Sequence, residues 1–338
     1  MTLPTHQTAL VLQRFGGSEE LAEQACAVPE PGPGQVLVKV LAASVQFTDV
    51  MLRKGRYPDL KDKPPLVLGY DLVGEIVSVG AGVDSWHVGQ RVAELTTTGS
   101  YAQFRTLSAD RLTLVDSALD AAEATALVLS WTTAYQLLHR QAKVQQGERL
   151  LVIGAAGAVG EALLVLGRLA GCEVWGTARA RHAARVRACG ATFVNSEQAD
   201  FATLLPDGFD AVFDGIGEQG FSRAWHGVGP RGRLCTFGVS AAIQGEIPFV
   251  RVGWWFAKLW AWNRFAGDRS ASFYSITTMR RKRPDWFLRD LAELLSLARR
   301  GEIRPHIAER IGFGGVAQAH QRLEAGGVQG KIVLLPNG

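Results

Sequence analysis

One tract constrains this chain more than any other. Arg149-Leu-Leu-Val-Ile153 is a short apolar run, Gly154-Ala-Ala-Gly157-Ala-Val-Gly160 follows it, and residues 158–170 read as a helix. An apolar run of this length suits a strand buried on both faces of a parallel sheet. Further strands are expected over 173–177, 191–194, 209–213 and 233–237, with a helix over 181–189. Strand and helix in alternation predict a doubly wound α/β sheet. A glycine-rich turn between the first strand and its helix is the dinucleotide fingerprint, whose three positions are Ala155, Gly157 and Gly160 here. Gly157 lets a pyrophosphate approach the backbone, and Gly160 lets the helix pack on the sheet. The helix start at Ala158 and Val159 offers amides and a dipole to the phosphate charge.

The end of the second strand bears on which nucleotide is bound. Enzymes that use NAD place a carboxylate there for the ribose hydroxyl. This chain reads Gly176-Thr-Ala178-Arg179-Ala-Arg181, with Arg185 one helical turn further on. A guanidinium pairs bidentately with phosphate, so NADPH is expected. A basic, solvated helix start is the alternative.

The remainder has a different texture. Strands are expected over 36–42, 72–79 and 90–94, punctuated by Gly and Pro, and they point to a mostly β domain. Helices follow over 121–129 and 133–139, an amphipathic helix over 286–300, and a terminal strand over 330–335. A length of 338 residues favours two domains. A hydrophobic share of 47% with a net charge of +4 excludes global disorder, and 36 basic against 32 acidic residues suggests no nucleic-acid partner. Cys26, Cys172, Cys189 and Cys235 stand singly, which argues against a disulfide framework or a zinc ribbon and for a reducing, cytoplasmic setting. Residues 1–22 do not read as a signal peptide, and the apolar tract 252–265 is too short to span a bilayer.

Several segments taken in order resemble one family. They are Pro65-Leu-Val-Leu-Gly-Tyr-Asp-Leu-Val-Gly74, Val88-Gly-Gln-Arg-Val92, Gly99-Ser-Tyr-Ala-Gln103, Thr133-Ala-Tyr135, the turn 155–160, Ala319-His-Gln-Arg-Leu-Glu-Ala-Gly326 and Gly330-Lys-Ile-Val333. Together they resemble the medium-chain dehydrogenase/reductase superfamily, in its zinc-free quinone oxidoreductase branch. The resemblance implies a GroES-like, mostly β catalytic domain from residues 1–130 and 275–338. It implies a Rossmann NADPH-binding domain from 131–274, and a homodimer. The zinc-dependent alcohol dehydrogenases carry Cys where this chain has Gln46, and a His-Glu pair where it has Tyr70-Asp71. Their four-cysteine lobe is also missing, because Ala93-Glu94 runs almost directly into Gly99. Neither Gln46 nor Tyr70 suits a catalytic zinc ion, so no metal is expected.

The expected reaction is transfer of a hydride from NADPH to a small apolar quinone or an α,β-unsaturated carbonyl. A zinc-free oxidoreductase acting on another carbonyl, and a non-catalytic NADPH-binding adaptor at a membrane, are the alternatives. Gln46, Tyr57 and Asp49 fall where the branch places polar cleft residues. Gln46 is the candidate donor to the substrate carbonyl. Tyr57 is the candidate hydrogen-bond or proton donor, with packing against Pro58 as its bland role. Thr133 resembles the threonine near the nicotinamide, or else caps a helix before Ala134. Gly215, Phe237 and Gly238 follow later strands at the carboxyl edge where ligands bind. Lys331 reaches the cofactor, or is a solvated lysine at a strand end. His320 packs on a helix. Four of the nine Trp lie within 254–262, ahead of Arg280, Arg281, Lys282 and Arg283. This order reads as a weak membrane-surface contact, or as an aromatic lid or dimer contact; the tract alternates sides, which favours the latter two.

Overall fold

The structure is a computed structural model, and it describes residues 3–57, 60, 62–198, 203, 207–217, 221–238, 249–326 and 328–337. The chain divides into two compact units, Met1–Thr132 with Arg283–Gly338, and Thr133–Lys282.

The first unit is built on antiparallel β structure. Strand Gln35–Val45 is its spine. It pairs antiparallel with Leu72–Val79, with Phe104–Ser108 and with Lys331–Leu334. The sheet continues through Arg91–Glu94 to Thr113–Leu114 on one side and to Ile307–Ile311 on the other. A smaller sheet joins Leu21–Ala27, His6–Leu12 and Leu66–Val67. Alternating residues Val36, Val38, Val40 and Ala42 are fully buried, as expected of a strand with one face in a core. The pairing Ile332 to Val45 and Val333 to Ser44 sets Lys331 level with the end of the spine strand.

The second unit carries six parallel strands: Arg149–Ile153, Glu173–Ala178, Thr192–Asn195, Phe209–Asp214, Val228–Thr236 and Ser270–Phe273. Numbered along the chain, they lie in the spatial order 3-2-1-4-5-6, the doubly wound dinucleotide-binding arrangement. The order reverses between Arg149–Ile153 and Phe209–Asp214, and ligands of such sheets bind at that switch point, beyond the carboxyl ends of the strands. Leu150, Leu151 and Val152 have no exposed surface, as read for a strand buried on both faces, and Ala211, Val212 and Phe213 of the neighbouring strand are equally buried.

One sequence expectation changes. Residues 121–142 form one helical run without a break. Ala121–Ala126 and Thr132–Gln136 are α-helical, and Leu127–Trp131 and Leu137–Ala142 are wound into wider π-type turns. Thr133 is buried inside this run, so it is not a helix cap. The tract 254–262 lies on a single helix, Phe249–Phe265. Its aromatics split: Trp255 is buried in one cluster with Leu259, Trp262 stacks on Trp225, and Trp254, Trp260 and Phe265 are exposed. Among the described residues no helix is long and apolar enough to cross a membrane.

Candidate active site

Each unit holds one set of chemically loaded residues. In the second unit it is the turn after Arg149–Ile153. Gly154 sits at φ +80°, a conformation glycine adopts at little cost. Ala155 is buried and gives its amide to the Thr177 carbonyl at 2.9 Å, so it closes the turn onto the second strand and has no amide left for a phosphate. Helix Ala158–Leu169 starts at Gly157, whose φ and ψ of −77° and 163° are extended. The amides of Ala158, Val159 and Gly160 lie in the first turn of that helix, where no intrahelical acceptor exists. A Cβ on Gly157 would meet only the Gly154 carbonyl oxygen, at 3.4 Å. A Cβ on Gly160 would lie 2.4 Å from that oxygen and 2.8 Å from Ala155 Cα. Gly157 therefore leaves an open approach to the helix start, and Gly160 is required by packing inside the turn. These features fit a dinucleotide pyrophosphate.

At the ends of the fourth and fifth strands, a Cβ on Gly215 would strike the Phe237 ring at 2.6 Å, and a Cβ on Gly238 would lie 2.4 Å from the Gly215 carbonyl. The two glycines allow the backbones to close on each other at the carboxyl edge. Buried Asp214 steadies the bend by accepting from the amides of Ile216 and Gly217 at 2.8 and 3.1 Å.

The three arginines after the second strand separate. Arg185 forms a bidentate pair with Glu161, at 3.0 and 2.5 Å, and is committed within the protein. This overturns its expected share in a phosphate site. Arg181 is exposed and donates to His182 Nε2 at 3.1 Å. Burial and the neighbouring Arg181 and Arg179 charges lower the His182 pKa. Arg179 is exposed, and no hydrogen bond or ion pair holds it among the described residues.

In the first unit, Gln46 follows the spine strand and caps helix Phe47–Arg53, where its backbone amide donates to Asp49 Oδ2 at 3.0 Å. The Gln46 side chain lies between opposite charges. Its Nε2 donates to Asp71 Oδ2 at 2.9 Å, and Lys331 Nζ donates to its Oε1 at 2.6 Å. Lys331 also donates to Ser130 Oγ at 3.2 Å, and Asp71 Oδ1 accepts from the Ser44 amide at 3.0 Å. Gln46, Asp49, Asp71, Ser130 and Lys331 are all buried. Lys331 is thus not a solvated strand-end lysine. Ser130 and Asp71 join the site as residues the sequence reading did not assign to it. The available signal was a polar residue inside an apolar run, Val128-Leu-Ser-Trp131 and Leu68-Gly-Tyr-Asp-Leu72.

Tyr57 is half-buried, and its hydroxyl is 2.5 Å from that of Tyr70, with the rings edge to face. Pro58, the bland partner expected for Tyr57, lies outside the described residues. His320 is fully buried edge-on to Tyr101, and burial pushes its pKa down to about 3, which fits its expected packing role.

Burial raises the Asp71 carboxyl and lowers the Lys331 ammonium, and the attraction between them opposes both shifts. Burial first, and the Asp71 charge second, push Asp49 up to about 8. An unfolded aspartate ionises near pH ~4, so between ~4 and ~8 the native state holds a proton that the unfolded chain lacks. The Asp49 contribution to stability therefore falls as pH rises through that window and is constant above it. Asp49→Asn removes this loss. Relative to wild type, the variant should gain urea resistance on going from about pH 5 to about pH 9, by up to a few kcal/mol, and an unchanged difference at the two pH values would refute the shift.

These two sets decide the family when joined to the sequence comparisons. An alcohol dehydrogenase GroES-like domain matches residues 32–117, and a zinc-binding dehydrogenase domain matches 189–334. A quinone oxidoreductase of Pseudomonas aeruginosa is 30% identical over 95% of this chain and 97% of its own. The chain belongs to the medium-chain dehydrogenase/reductase superfamily. A human synaptic vesicle membrane protein VAT-1 homolog is likewise 30% identical, over 97% of this chain and 86% of its own. The structure of the quinone oxidoreductase from Coxiella burnetii superposes with a TM-score of 0.84 at 26% identity, covering 98% of this chain and all of that one. As a medium-chain dehydrogenase/reductase, the protein is an oxidoreductase of a family that uses a nicotinamide cofactor. The superfamily also contains zinc enzymes, but the residues here do not fit that ion. Zinc takes thiolate, imidazole or carboxylate ligands. At the corresponding positions Gln46 and Asp71 are hydrogen-bonded to each other, Tyr70 is engaged by Tyr57, and an ammonium occupies the Gln46 oxygen.

Proposed function

We propose that this chain reduces a small apolar quinone or α,β-unsaturated carbonyl with NADPH, without zinc. One observation carries the reading. The buried Gln46–Asp71–Lys331 set offers hydrogen bonds and positive charge to an oxygen that becomes negative, from a donor set unsuited to a metal. Such donors stabilise developing oxyanions by an amount that needs no metal. The turn at Gly157 and Gly160 with the amides of Ala158 and Val159 holds the pyrophosphate, and Arg179 holds the 2′-phosphate. Thr133, Gly215, Phe237 and Gly238 line the cofactor.

When bound, NADPH would supply the hydride that an activated alkene or quinone needs, leaving negative charge on the acceptor's oxygen. Gln46 donates its remaining side-chain N–H to the carbonyl oxygen as that oxygen gains the charge. The Tyr57 hydroxyl, held by Tyr70, passes its proton to the α-carbon, or to a quinone oxygen, and is reprotonated from solvent. The 2-haloacrylate reductase of a Burkholderia species, 32% identical over 72% of this chain and 76% of its own, supports an activated alkene as acceptor. The quinone oxidoreductase relatives support a quinone. The homodimer and the cytoplasmic setting go with this reading.

The test is NADPH consumption against quinones, enones and, with NADP⁺, alcohols. Turnover is expected with a quinone or an enone and not with alcohols. Gln46→Leu should lower kcat by about 10²-fold, the scale of one lost oxyanion donor. Oxidation of alcohols alone would sink the proposal. Tight NADPH binding with no turnover of any acceptor would favour the non-catalytic adaptor, to which the exposed Trp254, Trp260 and Phe265 offer a membrane contact.

A further inference from the structure

The Gln46 amide can face its site in two ways, because its oxygen and nitrogen have nearly the same shape. Its neighbours remove that choice. Lys331 Nζ is 2.6 Å from one end of the amide, and an ammonium only donates. Asp71 Oδ2 is 2.9 Å from the other end, and a carboxylate only accepts. The oxygen must therefore face Lys331 and the nitrogen Asp71. A primary amide has two N–H groups, so one remains after Asp71 takes its share.

We propose that Lys331 is a positioning residue that acts through Gln46. It holds the amide oxygen, and thereby presents the second N–H, and never the oxygen, to the acceptor. This deepens the function proposed above and rests on it for the identity of the acceptor. The fold supports the arrangement from three places. Strand Lys331–Leu334 brings the lysine to the end of the spine strand by its pairing with residues 43–45. Ser130, in the π-type turn Leu127–Trp131, binds Nζ at 3.2 Å. The Ser44 amide fixes Asp71 at 3.0 Å. The ammonium also draws electron density from the amide oxygen and strengthens the N–H as a donor. Without the lysine, Asp71 alone holds the amide, and nothing keeps its oxygen from swinging toward the acceptor, where it would repel an enolate.

A plain counter-ion role for Lys331 predicts a different outcome, and two measurements separate them. The first needs neither cofactor nor substrate. In the cofactor-free protein, the Gln46 side-chain amide signal, identified by its loss in Gln46→Met, should shift in Lys331→Met and exchange its protons faster. Lys331→Arg, which keeps a donor-only cation, should largely restore it. The second is a kinetic cycle. Lys331→Met should lower kcat by about tenfold with little change in the NADPH KM, a part of the about 10²-fold that complete loss of the donor costs. In a Gln46→Met background the same change should cost less than about twofold, because a residue acting through Gln46 has nothing left to act on. An unmoved Gln46 signal, or losses that multiply in the double variant, would overturn the proposal. If wild-type protein turned over no quinone or enone, the function above would fall, and the amide signal alone would still decide whether Lys331 orients Gln46.

Discussion

Arg179→Ala should weaken NADPH by roughly 30-fold and leave NADH within about twofold, as befits the loss of one charge-assisted hydrogen-bonded contact to phosphate. The geometry singles out this arginine among three. Arg185 is locked to Glu161, and Arg181 donates to His182. Arg179 lies directly after strand Glu173–Ala178, exposed and with no ion pair among the described residues. NADH carries a hydroxyl where NADPH carries a phosphate dianion, so the removed guanidinium matters to one coenzyme only. Binding titrations with both coenzymes on the same variant make the check. Equal weakening of the two would refute the 2′-phosphate role and leave Arg179 as a solvated helix start.

The two turn glycines should fail in opposite ways. Gly160→Ala places a methyl group 2.4 Å from the Gly154 carbonyl and 2.8 Å from Ala155 Cα. Both are backbone atoms at the root of the turn, and neither can swing aside. The variant should lose about 1–3 kcal/mol and roughly 5 °C in Tm, the range for forced overpacking. Gly157→Ala meets only a 3.4 Å contact at an unstrained φ of −77°, so the fold should hold within about 0.5 kcal/mol. Its methyl group nonetheless stands on the open approach to the helix start, and dinucleotide affinity should drop about tenfold or more. Thermal melts and cofactor titrations on the pair separate packing from binding. Comparable Tm losses in both variants would mean that Gly157 is needed by the turn and not by the ligand.

Recognition of the fold from sequence succeeded where the forces are local. Strands Arg149–Ile153 and Leu72–Val79 begin and end where their apolar runs do, because strand burial writes itself into a continuous or alternating pattern. The turn 154–160 was legible for a similar reason: glycine is placed by steric limits within a few residues. Thr133 was harder, since a capping threonine and a mid-helix threonine look alike until the turns upstream of it are known to be helical. The tract 254–262 alternates its aromatics in sequence, and its single helix divides them between core and solvent.

The sequence by itself determined a two-unit architecture with a dinucleotide turn, and the candidate status of Gln46, Tyr57, Arg179 and Lys331. It could not determine which charges are spent. Lys331 meets Gln46 across 285 positions of chain through the pairing of two strands, and Arg185 meets Glu161 across 24. Tertiary structure alone buried the lysine, tied Arg185 to Glu161, and added Asp71 and Ser130 to the site. The physical reason is that apolar periodicity reports a residue's surroundings along its own element. The partner of a buried charge is chosen by register and packing between elements far apart in the chain.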